Sequence, residues 1–264
     1  MKRLILAAML ATGLAGAAQA DDALKAAIAG EHRSAANKAR DVYRHPYETL
    51  SFFGIKPNMT VVELSPSGGW YTEILAPYLR DKGKLIGAGE AIQADKRYGM
   101  AFKKKLDSTP AVFDKVVPSV FEPPATYQIA PPNSVDMVLT FRNLHNWVGN
   151  GEDALRTTFK EIHKVLKPGG VLGVVDHRLP ASMTQDAKAS SGYVHEAWVI
   201  KMAESAGFKL AAKSEVNANP KDTADWPDGV WTLPPSLRLK EVDRDRYVAI
   251  GESDRMTLKF VKPN

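Results

Sequence analysis

Thr60-Val61-Val62-Glu63-Leu64-Ser65-Pro66-Ser67-Gly68-Gly69-Trp70-Tyr71 is the stretch whose reading decides the fold. Its first five residues are mostly β-branched or apolar, without strict polar alternation, as in a strand covered on both faces. The strand stops at Ser65-Pro66-Ser67, the Gly68-Gly69 pair turns the chain, and Tyr71, Ile74, Leu75 and Leu79 then recur at helical spacing. A strand, a glycine turn and a helix in that order form one unit of a parallel α/β sheet. Glycines at such a turn let the backbone approach a ligand without Cβ atoms in the way. The turn fits neither the dinucleotide fingerprint nor the P-loop, because no glycine precedes Pro66 and no lysine opens the helix; a phosphate ligand at this loop is therefore disfavoured.

The same unit repeats downstream. Gly83 closes the first helix, Lys84 to Gly89 reads as a second strand ending in Glu90, and a charged helix is predicted over Lys96 to Leu106. A carboxylate at the Glu90 position is placed to accept hydrogen bonds from a ribose diol. Val112 to Val117 reads as a weaker third strand, and the five prolines from Pro118 to Pro132 predict irregular chain. A fourth strand is predicted over Val135 to Phe141. The next helix aligns Leu155, Phe159, Ile162 and Leu166, the Lys167-Pro168-Gly169-Gly170 turn ends it, and Val171 to Val175 is a fifth strand. A helix near Val194 to Ala206 and a strand near Phe208 to Ser214 follow. An Asp-, Pro- and Trp-rich insertion then runs from Asn217 to Asp245, before a last strand from Arg255 to Val261. Upstream, residues 21–42 read as a lead-in helix that Gly30 weakens, and a short helix through Leu50 and Phe53 leads to a turn at Gly54 to Asn58. Repeated units of this kind imply one doubly wound sheet, with its ligand crevice beyond the carboxyl ends of the strands.

With 264 residues, 44% of them hydrophobic and 25% charged, the chain has the composition of a globular protein able to bury a full core. It has no cysteine, which excludes disulfides, thiolate metal sites and cysteine nucleophiles. Lys2 and Arg3, the apolar run from Leu4 to Ala18, and Ala18-Gln19-Ala20 have the form of a cleaved secretory signal peptide, residues 1–20. The run is shorter than a membrane span, so no stable membrane insertion is expected after cleavage, and the expected location is periplasmic or secreted. Removing Lys2 and Arg3 lowers the net charge from +5 to +3. That is too mild a balance to suggest a nucleic-acid partner. The oligomeric state is left open.

The ordered set of motifs resembles the class I S-adenosylmethionine-dependent methyltransferases. Val61 to Gly69 looks like their first motif and Glu90 like the ribose-binding acid. Asn133 to Leu139 is similar to the fourth-strand motif, and Leu166 to Leu172 to the frequent turn before the fifth strand. Pro66 to Glu73, Arg142-Asn143-Leu144-His145-Asn146-Trp147, Asp176-His177-Arg178 and Leu258 to Pro263 resemble, more narrowly, a group of exported bacterial predicted methyltransferases. The resemblance implies a Rossmann-like sheet of seven strands, the last antiparallel, in a domain over residues 43–264 with the 217–245 insertion before that strand. It also implies S-adenosylmethionine as cofactor and a small-molecule methyl acceptor. Cofactor contacts would come from Glu63, Ser65, Ser67, Gly68, Gly69, Glu90, Arg142 and Asn143. Ser65, Pro66 and Ser67 stand where the family's motif is richer in glycine, and an exported protein lies where no cofactor synthesis is expected. The alternative is a periplasmic small-molecule binding protein that keeps the fold without turnover.

Catalytic candidates follow from position. Arg142, Asn143, His145 and Asn146 come directly after the fourth strand and are predicted to project into the crevice. His145 is the candidate base for a protonated acceptor, with Asn146 as a positioning donor; the alternative, a loop histidine that caps a helix, stays open. His177 follows the fifth strand on the same edge, and because adjacent side chains of an extended chain diverge, Asp176 and His177 need not pair. None of the six histidines forms an H-x-x-x-H or H-x-H spacing, so no metal centre is predicted. G-x-S-x-G is absent, which leaves serine hydrolase chemistry unsupported. Trp70 and Tyr71 are expected to pack the first helix on the sheet; Trp147, Trp198, Trp226 and Trp231 are candidates for core or pocket walls.

Overall fold

Strand β1 (Thr60–Leu64) forms where the sequence reads as doubly covered, with three strands of the sheet on one side of it and four on the other. The computed structural model describes residues 21–264; the leader assigned to residues 1–20 lies outside them. The other strands are β2 (Lys84–Gly89), β3 (Val117–Glu122), β4 (Thr126–Gln128), β5 (Val135–Phe141), β6 (Leu166–His177), β7 (Lys209–Ser214) and β8 (Arg255–Val261). They form one sheet in the order β4-β3-β2-β1-β5-β6-β8-β7. β1 pairs in parallel with β2 and with β5, so the chain winds outward in both directions from it, and the gap above β1 and β5 is the switch point where ligands of such sheets sit. β8 runs antiparallel between β6 and β7, as expected of the last strand.

Alternation along the central strands feeds two cores. Val62, Leu64 and Val138 face one layer with Leu155, Phe159 and Ile162 of α9 (Glu152–Val165) and Val199 and Met202 of α10 (Glu196–Ser205). Val61, Met137 and Leu139 face the other, with Leu50 and Phe53 of α4 (Pro46–Phe53), Ile74, Leu75 and Leu79 of α5 (Thr72–Leu79) and Phe102 of α6 (Arg97–Ser108). Burial of each such large side chain stabilises the fold by about 1.5–3 kcal/mol, which is what holds the switch point rigid.

Several expectations need correction. The sheet has eight strands, not seven, because Thr126–Gln128 pairs antiparallel with Val120 to Glu122. The third strand is not Val112 to Val117: Pro110 opens a helical turn, α7 (Pro110–Phe113), and pairing with β2 begins at Val117. The prolines of 118–132 therefore do not exclude a strand. Pro118 precedes the part of β3 that β4 covers, where a missing N–H is tolerated, and Pro123-Pro124 falls in the connection between the two strands. The lead-in helix over 21–42 is broken into α1 (21–29), α2 (Ala35–Lys38) and α3 (Asp41–Arg44), with Gly30 just after α1 and Ser34 capping α2. Finally, Lys167 to Gly170 is an irregularity inside β6 rather than a turn before it, since Val135 pairs with Leu166 and Met137 with Val171.

The insertion is tied down by one buried carboxylate. Asp222 accepts hydrogen bonds from the Tyr193 hydroxyl, from Trp226 Nε1 at 2.6 Å, and from the backbone N–H groups of Ala224 and Asp254. That anchorage sets the 3-10 turn Gly229–Thr232 and the Pro234-Pro235 pair against the crevice.

Candidate active site

The loop after β1 keeps the backbone of a glycine loop without all its glycines. Ser65, Ser67 and Gly69 have φ of +49°, +49° and +72°, so every second residue is left-handed. The Ser65 N–H donates to Ala88 O at 2.7 Å, which fixes the loop to the end of β2. Gly68 lies exposed, and a Cβ there would meet nothing within 4 Å. Glu63 lies beneath the loop, buried, and its Oε2 accepts from the Thr72 hydroxyl at 2.6 Å. Burial pushes its pKa up to about 7, with the Thr72 hydrogen bonds opposing the shift.

Two cavities flank this loop. The larger, about 650 Å3, lies at the carboxyl ends of β1, β2, β5 and β6, and its walls include Ser65, Glu90, Tyr98, His145, His177 and Trp231. Glu90 does part of its work on the protein itself: its Oε2 accepts from the N–H groups of Tyr98 at 2.8 Å and Gly99 at 3.3 Å, at the start of α6. The loop geometry, the cavity size and the second oxygen of Glu90 fit an adenosyl ligand laid along the loop. Asn143 donates through Nδ2 to Leu64 O and Phe141 O, both at 3.2 Å, and so braces the ends of β1 and β5. Asn146 is exposed on the rim.

Deeper in the same cavity, α8 (Leu144–Val148) and the end of β6 bring together a buried dyad. His145 Nδ1 lies 2.9 Å from Asp176 Oδ1, and Asp176 also accepts the backbone N–H groups of His145 at 3.0 Å and His177 at 2.8 Å. With Nδ1–H donated to the carboxylate, the lone pair of His145 is at Nε2. His177 diverges from Asp176 as expected and pairs through Nδ1 with Ser253 Oγ at 2.5 Å. Burial, then the neighbouring His145 and Arg142, hold His177 well below the usual histidine range, so it is neutral. Ligand atoms of His145, Asp176 and His177 lie within 4.8 Å of one another, a grouping that the local histidine spacings do not reveal. In the sequence Asp176 is only a neighbour of His177; its partner His145, 31 residues earlier in the chain, reaches it only when β5 and β6 pair.

The smaller cavity, about 240 Å3, lies on the other side of the loop and is walled by Asn37, Arg40, Arg44, Glu63, Trp70 and Arg142. Glu252 is its buried counter-charge, with Arg40 Nε at 2.6 Å, Arg44 Nε at 3.3 Å and Arg255 Nη1 at 3.2 Å. Burial alone would raise the Glu252 pKa, but Arg44, Arg255, Arg142 and Arg40 together draw it down to about 2. Trp70 and Tyr71 are packing residues, as expected: Tyr71 stacks on Phe141 at 3.5 Å, and the Arg44 guanidinium lies 4.5 Å from the Trp70 ring centroid. Trp147 and Trp231 wall the larger cavity, whereas Trp226 packs on Tyr247 and Trp198 lies elsewhere on the surface of α10. Arg40, Arg44 and Glu252 carry no motif, and nothing in their local sequence signals that they meet.

Every residue singled out as a cofactor or catalytic candidate thus lines one or both cavities. Residues 67–174 match a family described as a methyltransferase domain. No curated protein matches the chain significantly. Among solved structures, a SAM-dependent methyltransferase from Aquifex aeolicus superposes with a TM-score of 0.56 at 17% identity, covering 85% of this chain and 93% of that one. The (4+2) cyclase SpnF gives 0.56 at 15% identity over 89% and 84% of the two chains. An S-adenosylmethionine-dependent methyltransferase from Mesorhizobium loti gives 0.50 at 11% identity over 81% and 96%.

Proposed function

We propose that the protein is a methyltransferase of the class I fold that uses S-adenosylmethionine and methylates a protonated oxygen or nitrogen of a small acceptor, a reading supported by the match of residues 67–174 to a methyltransferase domain. The observation that carries this reading is the Asp176–His145 pair, buried at the inner end of the cavity that also contains the glycine-type loop. The cofactor, when bound, supplies a methyl group activated as a sulfonium. The protein supplies the rest. Ser65, Ser67, Gly68 and Gly69 form the floor, and Glu90 offers its free carboxylate oxygen to a diol. His145 Nε2 takes the proton that the acceptor loses, and Asp176 stabilises the imidazolium that results, through the hydrogen bond at Nδ1. Trp231, Trp147 and Phe121 give the acceptor's side of the cavity an apolar, aromatic wall that excludes water. The leader-like sequence of residues 1–20 supports a periplasmic or secreted location.

A second reading is a binding protein without turnover, favoured by two observations: serines occupy left-handed positions of the loop, and Glu90 already caps α6. One experiment separates the two. Calorimetry with S-adenosylhomocysteine tests the cofactor site, and transfer of labelled methyl from S-adenosylmethionine to a panel of small phenols, acids and amines tests turnover. Binding with transfer supports the enzyme; binding without transfer to any of the panel favours the second reading; no heat at about millimolar ligand refutes the enzyme reading.

A further inference from the structure

Proton removal in the reaction above needs one imidazole, and the larger cavity has two. His177 lines it beside His145, with the ring centroids 5.1 Å apart and a ring nitrogen of each within 4.8 Å of one on the other. Both rings are held in the same way. Nδ1 is engaged by the protein, through Asp176 Oδ1 for His145 and Ser253 Oγ for His177, and neither Nε2 has a hydrogen-bond partner among the described residues. Each imidazole therefore keeps one hydrogen-bonding site for a ligand. The two residues are only 6% and 5% exposed, and an unfilled site of that kind is costly there.

The tautomers define what fits. Asp176 accepts from His145 Nδ1, which leaves a lone pair at Nε2 for the hydroxyl that reacts. Ser253 Oγ either donates to His177 Nδ1 or accepts from it, so His177 Nε2 is a donor in one form and an acceptor in the other. A hydroxyl meets either form, being donor and acceptor at once; a carbonyl or an ammonium meets only one. Such hydrogen bonds span about 2.7–3.2 Å, so nitrogens this close are met by hydroxyls on neighbouring carbons rather than by hydroxyls across a ring. The walls are aromatic. Trp147 stands edge-on to Phe121 at 5.2 Å between centroids, and Trp231 edge-on to His145 at 6.1 Å, with the Arg238 guanidinium 4.7 Å from the Trp231 ring. A planar ring packs well on such walls. A divalent cation is the other ligand that two imidazoles attract. Arg142, Arg255 and Arg44 oppose positive charge at His177, which disfavours a cation and favours an acceptor whose oxygen turns negative as its proton leaves.

We propose that the acceptor is an aromatic ring with hydroxyl groups on two neighbouring carbons, one reacting at His145 and the other held by His177. This rests on the methyl-transfer reading and names its substrate class. The reacting hydroxyl gives its proton to His145 Nε2 as its oxygen gains the methyl group and the donor's C–S bond breaks, so the products are a monomethyl ether and a neutral thioether. The second hydroxyl orients the ring, and holding it decides which oxygen reacts. Trp231 comes from the insertion that Asp222 anchors, so this wall lies outside residues 67–174, the part of the chain that matches the methyltransferase domain.

The test is a panel of 1,2-, 1,3- and 1,4-dihydroxybenzene and phenol, given to the protein. Calorimetry in the presence of S-adenosylhomocysteine reads binding, and labelled S-adenosylmethionine reads transfer. The 1,2-diol is expected to bind about tenfold tighter than the other three, the worth of one further buried hydrogen bond, and to be methylated once. His177→Phe keeps a ring and removes Nε2, and is expected to bring the preference for the 1,2-diol over phenol to within about twofold of one. The panel on the native protein decides the matter even where the variant does not fold. The proposal is overturned if phenol or either isomer binds as well as the 1,2-diol, or if folded His177→Phe keeps the full preference. It is also overturned if protein treated with a chelator binds the 1,2-diol only after zinc chloride is added, because the histidine pair then serves a metal. Heat with S-adenosylhomocysteine and transfer to another acceptor, without the diol preference, overturns this proposal alone. The diol preference without transfer overturns the methyl-transfer reading alone and assigns the diol to a binding protein.

Discussion

Replacing His145 by Gln removes the Nε2 lone pair while leaving a side chain of similar reach. General-base loss of this kind lowers kcat by roughly 10²–10⁴-fold. Cofactor affinity, measured by S-adenosylhomocysteine calorimetry, is expected to stay within about twofold, because His145 lies beyond the loop that forms the floor. Equal loss of both would show that the histidine only holds α8 in place. Asp176→Asn tests the other half of the dyad: an amide has one acceptor oxygen, so it can keep only one of the two N–H groups that now bond separate oxygens of Asp176, and it no longer stabilises an imidazolium, so kcat falls. The sequence pointed to His145 through its place after an apolar strand, and it could not choose between base and cap. The choice depends on Asp176, which the pairing of β5 with β6 supplies, and no local pattern encodes a partner on another strand.

At the scale of elements, the loop after β1 makes a prediction opposite in sign to most substitutions. A left-handed φ costs a non-glycine residue about 1–2 kcal/mol, and glycine's greater unfolded freedom costs about 0.5–1 in return. Ser65→Gly and Ser67→Gly are therefore expected to be neutral or stabilising by up to about 1 kcal/mol each in urea melts, and to admit the cofactor more closely. Destabilisation by either change would mean that the serine hydroxyl matters more than the strain. Glu90→Ala loses two things at once: about 1 kcal/mol of capping at α6 and the acceptor for a diol. Glu90→Asp, too short to serve both, distinguishes them if Tm and cofactor affinity change by different amounts. The central strands were legible because burial on both faces leaves an unbroken apolar run, as in Thr60–Leu64 and Val135–Phe141. β3 and β4 were not, because Val117–Glu122 contains a proline and an edge hairpin is selected by its neighbour β2 rather than by its own pattern.

Across the whole molecule, two buried glutamates oppose each other in pH. Glu63 has its folded pKa raised to about 7, so the stability its protonation contributes is complete below about 4.5 and is lost as pH rises through 7. The native protein is expected to lose on the order of 3 kcal/mol from this group between pH 5 and 8, and Glu63→Gln to flatten that slope in denaturant melts at the two pH values. Glu252 has its folded pKa lowered to about 2, so its contribution, also on the order of 3 kcal/mol, is present above about 4.5 and disappears as pH falls through 2. Its loss is not evenly felt. Glu252 joins Arg40 and Arg44, which flank the start of the domain, to Arg255 at the head of β8, more than 200 residues away in sequence. Acid should therefore release the segment around α2 and α3 before the sheet, whose own contacts are apolar. Glu252→Gln should do the same at neutral pH, leaving several buried guanidiniums with no carboxylate and costing about 3–5 kcal/mol. Hydrogen exchange over residues 35–53 measures this directly: early exchange there, with β1 and β5 still protected, is the expected result, and uniform exchange would place Glu252 in the global core instead.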